Sequence, residues 1–378
     1  MSNGGIKNYL IAILRNGGNK ILAKNINPNI NKDDVKNILH SQGLSGEVKA
    51  VLLVSYDENG EPIKENFMSI RQGQATNQLT KMNARKRDNL TPDPFTGALK
   101  INNNNNFTVE IKNFPSSGEL KNSTLQLLDA LTLKITETGA KSTSINLSLH
   151  EYMNMRGLKD EKTAREQVKI DLEVFYNLSL HFMEKRRGKN TGNFIDVRLI
   201  DKKGVIKNSV IGVRLTPEFL ELLKTYNIMP YPIRLLALNG NDNPNSYYFG
   251  RKIAEHKNMN YFKPNADIIS VETLLNSSPV MPTFEDVTNT DRHYKSRIIE
   301  PFERDMNALE ETFTWEYCHE NGEPLTDKEL EILYNDDKGT PSYNLFIKLL
   351  VKITWRYYPI RVEPPKKRKP KSLAPIAL

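Results

Sequence analysis

Between residues 294 and 309 the apolar side chains Tyr294, Ile298, Phe302, Met306 and Leu309 recur at steps of three and four. That spacing predicts a helix with one buried face. Pro301 falls inside the pattern; it lacks an N–H and crowds the preceding turn, so the helix is expected to bend. Arg292, His293, Lys295 and Arg297 stay off the buried stripe in the first turns, and Arg304 continues the basic set further along. An alternating strand at residues 313–318 follows, and Asn321-Gly322 supplies a turn.

A related pattern lies upstream. Leu125, Leu128, Leu131 and Leu133 open a helix, and Ser148-Leu-His-Glu151 is a capping-box sequence in which serine and glutamate satisfy each other's orphan amides. A short helix follows with Leu149, Tyr152 and Met153 inward. Gly157 makes a turn, and a longer helix from Asp160 buries Ala164, Val168, Phe175 and Leu178. Helix, glycine turn, helix is the layout of many DNA-reading motifs. Lys162, Arg165 and Lys169 share one face of the longer helix; a purely solvated face has the same appearance.

Residues 194–200, a turn at 201–204 and residues 205–215 predict a hairpin with Lys202 and Lys203 at its tip, where it would meet a phosphate backbone. Thr216-Pro217 then starts a helix with a cap residue and a first-turn proline, Phe219, Leu220 and Leu223 facing inward. The plan repeats downstream: helices at 232–238 and 246–256, a short one at 270–275, the 292–309 helix, then the strand. An acidic, helix-like insertion at 323–337 interrupts the second hairpin, whose returning strand is expected at 345–358.

These elements divide the chain into a small N-terminal appendage (1–70), a polar and basic linker (71–106), a first domain (107–238), a second domain (239–362) and a basic tail (363–378). The appendage pattern suggests a short helix at 32–39 and a hairpin of 48–56 with 63–70. Arg85-Lys86-Arg87, the Pro92/Pro94 pair and the run Asn102 to Asn106 give the linker its character; such a segment is solvated or lies along DNA. The tail carries Lys366, Lys367 and Arg368 between prolines. Its composition is that of a segment disordered when free, able to add non-specific phosphate contacts.

A net charge of +8 and a pI near 9.2 favour a polyanionic partner. Cys318 is the only cysteine, which excludes an intramolecular disulfide and a cysteine-based zinc site of the usual ligand count. No apolar run approaches the roughly 18 residues of a membrane span. A soluble, cytoplasmic and nucleoid-associated protein is expected, with no membrane partner.

Catalytic signatures are weak. No Gly-rich loop ends in Gly-Lys-Ser/Thr. The histidines, His40, His150, His181, His256, His293 and His319, never form an adjacent or alternating pair, so the local signature of a metal-dependent nicking enzyme is missing. Cys318 and His319 point to opposite faces of a strand. Trp315 and Trp355 on facing strands read as core aromatics, with a base-stacking platform as the alternative. No catalytic residue, metal or cofactor is expected.

Residues 294–309, with Arg297-Ile-Ile-Glu-Pro301 at their middle and Trp315-Glu-Tyr-Cys-His-Glu-Asn-Gly-Glu-Pro-Leu-Thr326 after them, resemble the C-terminal winged helix of iteron-binding plasmid replication initiators, especially those of anaerobic gut bacteria. The likeness covers 125–358 in plan and the last third in wording. It implies an α+β protein of two winged-helix domains, each a helix-turn-helix with a β-hairpin wing, plus the small appendage. It implies binding to repeated double-stranded origin sites, recruitment of the host helicase and polymerase machinery, repression of its own gene, and a homodimer through the first winged helix. Under that resemblance Arg292, Lys295 and Arg297 contact bases or phosphates from the second recognition helix, and Lys162, Arg165 and Lys169 from the first. The N-terminal segment and the acidic insertion depart from the family pattern. Two other classes stay open: a nicking initiator or relaxase-type enzyme, and a structural or packaged DNA-binding protein of a phage.

Overall fold

The helix Asn122–Glu137 (α1) is buried on nearly every side, with Leu125, Leu127, Leu131 and Leu133 joined in the interior by Gln126, Asp129 and Thr132. A helix enclosed in this way belongs at the centre of a fold, and the mixed α+β architecture is arranged around it. The computed structural model describes residues 8–15, 18–26, 50–56, 67–73, 76–77, 99–104, 107–111, 121–186, 189–289, 293–335, 340–356 and 358–359. The chain forms two compact units, one of residues 1–64 with 359–378 and one of residues 65–358.

The smaller unit contains three strands, Asn8–Arg15 (β1), Gly18–Ile26 (β2) and Ala50–Tyr56 (β3), in an antiparallel sheet of order β2-β1-β3. β3 therefore pairs with β1, Leu10 opposite Val54 and Ile13 opposite Val51, and not with 63–70 as the sequence pattern suggested. Two apolar runs rich in β-branched residues find each other across the sheet. The helix expected at 32–39 lies outside the described residues.

In the larger unit, Phe67–Gln72 (β4) pairs with Asn227–Pro232 (β12), Met229 opposite Ile70. Within the expected linker, Leu99–Asn104 (β5) forms a strand beside Phe107–Ile111 (β6), so part of the asparagine run is drawn into a ladder by its partner. Leu178–Arg186 (β8) and Lys189–Arg198 (β9) complete a sheet of order β5-β6-β8-β9.

After α1 the first half continues through Ser144–Ser148 (β7), Leu149–Arg156 (α2) and Glu161–Asn177 (α3). Ser148 caps α2 by accepting from the Glu151 amide at 3.4 Å, and Gly157 ends it in the left-handed region at φ 62°. Ile200–Lys207 (β10) and Val210–Leu215 (β11) then form a sheet of order β10-β11-β7. Two sequence expectations change here. Residues 194–198 belong to β9 and pair with β8, and the β10–β11 turn is Asn208-Ser209 instead of 201–204. Asn208 and Ser209 sit at φ 49° and 56°, the conformation of a two-residue hairpin turn whose twist matches its strands. Gly204, which drew the turn prediction, has another purpose. A Cβ there would lie 2.8 Å from the Leu172 side chain, so its absence lets β10 approach α3.

Thr216 caps Pro217–Thr225 (α4) as expected, accepting from the Phe219 amide. Residues 232–238, expected as one helix, are divided between the end of β12 and the short helix Arg234–Ala237 (α5). The second half runs through Ser246–Asn260 (α6), Ile268–Ser270 (β13), Val271–Leu275 (α7) and Phe284–Thr288 (α8). A π-helical turn at Lys295–Ile299 leads directly into Glu300–Asn307 (α9). The Glu300 amide donates to the Lys295 carbonyl, an i to i+5 bond, and Pro301 occupies the first turn of α9. The wider turn is the form taken by the expected bend, because it relieves the clash of the proline ring with the preceding carbonyl.

Phe313–Cys318 (β14) and Leu350–Trp355 (β15) close a sheet of order β13-β15-β14, Cys318 opposite Leu350. The 319–349 segment between them carries Asp327–Asn335 (α10) and Thr340–Lys348 (α11). Residues 345–348, expected as strand, are thus helical. The halves share a core of helix, short strand, helix, longer helix and a closing hairpin whose last strand lies beside the first, but the first half places β8 and β9 before its hairpin, and the second places α8 before the longer helix and α10 and α11 within its hairpin.

A buried polar cluster joins the halves. Asp129 of α1 accepts from the hydroxyls of Tyr231 (β12) and Tyr247 (α6), each at 2.8 Å, and pairs with Arg251 of α6. All four groups are enclosed, and the carboxylate finds its hydrogen-bond donors among these buried side chains instead of in water.

Candidate nucleic-acid interface

Asp160 caps α3 by accepting from the Thr163 amide at 2.8 Å, and hydrogen bonding from the Thr163 side chain, then from its amide, lowers the carboxyl's pKa. Ala164, Val168, Leu172 and Phe175 fix the inner face of the helix. Lys162, Glu166, Lys169 and Ile170 are thereby turned to solvent, Ile170 being 50% exposed.

Arg165 connects this helix to the β10–β11 turn. Its Nη2 donates to Glu161 Oε1 at 2.6 Å and to Ser209 Oγ at 3.2 Å, while Ser209 Oγ lies 3.3 Å from Glu161. The hairpin tip and the first turn of α3 are held on one side of the first half. Lys169 pairs with Glu166 at 2.7 Å, and the lysine lowers the carboxyl's pKa. Both partners are exposed, so the pair is weak and Lys169 is able to exchange it for a phosphate.

Lys202 is exposed but lies within β10 opposite Arg214, five residues before Lys207, and not at the tip. The residue that does flank the turn is Lys207, also exposed. Sequence reading passed over it because the lysine-glycine run at 202–204 outweighed the Asn-Ser dipeptide, which was the signal to follow. The side chain of Lys203 lies outside the described residues.

The second half is arranged differently. His293 and Arg297 are exposed. Arg304 projects from α9, its Nε 2.7 Å from Asp305 Oδ1. Lys295, expected at the interface, turns inward: its Nζ donates to the Tyr334 carbonyl at 3.0 Å and sits 6.0 Å from that tyrosine's ring centroid. Tyr334 closes α10 onto α9 through a 2.6 Å bond from its hydroxyl to Glu303, which also accepts from Tyr317 at 3.1 Å. The insertion is therefore fastened to the flank of the helix and, with Glu320 just before it, adds Glu323, Asp327, Glu329 and Glu331 at the end of the hairpin. Arg292 and the tail residues Lys366, Lys367 and Arg368 lie outside the described residues.

The structure thus joins Arg165 to the hairpin tip with Lys162 and Lys169 exposed on the same helix, and leaves Arg297 on the π-helical turn and Arg304 on α9 beside an acidic neighbour. Among the described residues no cluster of three or more histidine, cysteine or carboxylate side chains is placed to hold a metal. No described helix is long and apolar enough to cross a membrane.

No protein-family model matches the chain, and no curated protein does. Among solved structures it is similar to a crystal structure of domains 2 and 3 of RctB, at 12% identity and a TM-score of 0.41, covering 75% of this chain and 99% of that one. A second crystal structure of RctB domains 2–3 matches at 12% identity and a TM-score of 0.37, covering 73% of this chain and 96% of that one. A likeness of this size assigns no function.

Proposed function

We propose that this chain is a non-enzymatic, sequence-specific binder of double-stranded DNA that initiates replication of a plasmid or mobile element through two winged helices. The observation that carries the reading is the core common to both halves, helix, short strand, helix, longer helix and a hairpin whose last strand lies beside the first, whatever each half inserts around it. In a winged helix that order directs the longer helix into the major groove and the hairpin tip onto a flanking phosphate. The Arg165 contact with Ser209 supports the same geometry here, because it keeps tip and helix start on one side.

In this reading α3 is the principal reading helix. Lys162, Arg165 and Lys169 meet bases and phosphates, while Lys207 and Lys202 reach the backbone. Arg292, His293, Arg297 and Arg304 contribute from the second half, and Lys295 supports the fold. Lys366, Lys367 and Arg368 add sequence-independent phosphate contacts. The DNA partner is a set of origin repeats in the cytoplasm, with host helicase and polymerase machinery recruited there and a homodimer forming through the first winged helix.

Fluorescence anisotropy with duplexes tiled across the DNA flanking the gene, at two salt concentrations, tests the proposal. Salt-tolerant binding to one repeated segment is expected. Weak binding to every duplex, abolished by salt, would overturn sequence-specific reading.

A further inference from the structure

The acidic insertion and the second hairpin enclose a groove of two cavities that meet at Leu325. One part, about 430 Å³, lies between α9, β14 and α10 and is walled by Trp315, Tyr317 and Tyr334 with the carboxylates of Glu303 and Glu316. The other, about 210 Å³, is lined by Cys318, Leu325, Ile332, Leu345 and Leu349, with His319 and Glu329 paired at 3.3 Å. Leu325 borders both parts. Ile332 and Leu345 remain 58% and 39% exposed, large values for aliphatic side chains that face a cavity.

The chemistry selects the occupant. Aromatic rings beside carboxylates attract a guanidinium or ammonium group, through the ring quadrupole and through charge-assisted hydrogen bonds. Tyr334 already receives one cation, Lys295, at 6.0 Å from its ring. The aliphatic part suits a leucine-type side chain. Lys348 borders the groove and Lys352 stands 3.6 Å from Glu316, but residues 319–335 carry Glu320, Glu323, Asp327, Glu329 and Glu331 against Lys328 alone. That excess repels phosphate, so a nucleic acid is disfavoured.

We infer that this groove docks a segment of a partner protein that carries arginine or lysine beside leucine-type side chains. A recognition surface for protein consequently sits at the end of the second hairpin, where the first half presents Lys207 and its tight turn.

The test titrates the full chain with a synthetic helical peptide bearing leucine on one face and arginine on the other, followed by calorimetry and by tryptophan emission. Trp315 lies in the groove and only one other tryptophan, Trp355, is present. Saturable binding with a shift in emission is expected, weakened at least about tenfold by Ile332→Arg and by Glu316→Lys, and absent for a leucine-glutamate peptide. Both substituted residues are exposed, so the fold tolerates the changes. Absence of saturable binding, or binding indifferent to both substitutions, overturns the inference. So does a duplex or single-stranded DNA that produces the same emission change and competes with the peptide, which would make the groove a nucleic-acid contact.

Discussion

Lys295 Nζ donates to the carbonyl oxygen of Tyr334 at 3.0 Å, across 39 residues of sequence. A lysine whose position marked it as a DNA contact is thereby engaged in holding the insertion against the helix that bears it. Both groups are partly buried, and the loss of such a bond costs about 1–3 kcal/mol where the acceptor is left without a partner.

Lys295→Ala is therefore expected to lower stability to urea by an amount in that range while leaving the salt dependence of duplex binding unchanged. Equilibrium unfolding and anisotropy on the same preparation separate the two effects. A decrease of about one in the salt slope with no loss of stability would assign Lys295 to the DNA.

Asp129 gathers two tyrosine hydroxyls and Arg251 in an enclosed site between the halves. Burial, followed by the negative charge of Asp129, raises the pKa of both Tyr231 and Tyr247 well above the usual phenol value, so the hydroxyls remain donors. Asp129→Ala leaves the guanidinium uncompensated and is expected to cost about 3–5 kcal/mol. Replacement of the whole cluster by apolar residues of similar volume should cost far less. If Asp129→Ala unfolded at the wild-type urea midpoint, the cluster would not be a structural link.

Asp171, on the inner side of α3, is pushed up from 3.8 to about 6 by burial, against the opposing effect of its hydrogen bonds from Thr124 and Gln167. Its Oδ2 is buried and has no hydrogen-bond partner. A carboxyl with a raised folded-state pKa binds its proton more tightly when folded than when unfolded. Its contribution to stability is fully present below the unfolded value near 3.8 and is lost as pH rises through about 6. Relative to Asp171→Asn, the wild-type chain should lose about 2 kcal/mol of stability between pH 4 and pH 7. A stability difference that is flat with pH across this window contradicts the assignment.

Local sequence signals located much of the architecture. Ser148 and Thr216 cap their helices as their sequence contexts announced, and Asp160 and Ser270, read only as helix starts, are caps as well. Gly157 ends α2, and the stripe Tyr294, Ile298, Phe302, Met306 and Leu309 is buried throughout. The misplaced features depend on distant partners. Gly204 resembles a turn residue until Leu172 is brought against it, and the alternation of 63–70 does not reveal that β4 pairs with a strand more than 150 residues away.

The candidate interface divides along the same line. That Lys162, Arg165 and Lys169 share a helix away from its buried stripe was legible from spacing alone. The role of Lys295 was not, because Tyr334 approaches it from an insertion that has no counterpart in the first half. Lys207 was within reach of the sequence, through the turn preference of Asn208-Ser209.

The central claim is that α3 and the adjoining hairpin tip read duplex DNA. It is tested most directly by the salt slope of binding for the Lys162→Ala/Lys169→Ala double variant and the unmodified chain on the same origin duplex. Neutralising both lysines is predicted to reduce the slope by about two, near 0.9 for each released phosphate contact, and to weaken binding to all sequences. A slope identical to that of the unmodified chain, in a variant that remains folded, would remove α3 from the interface.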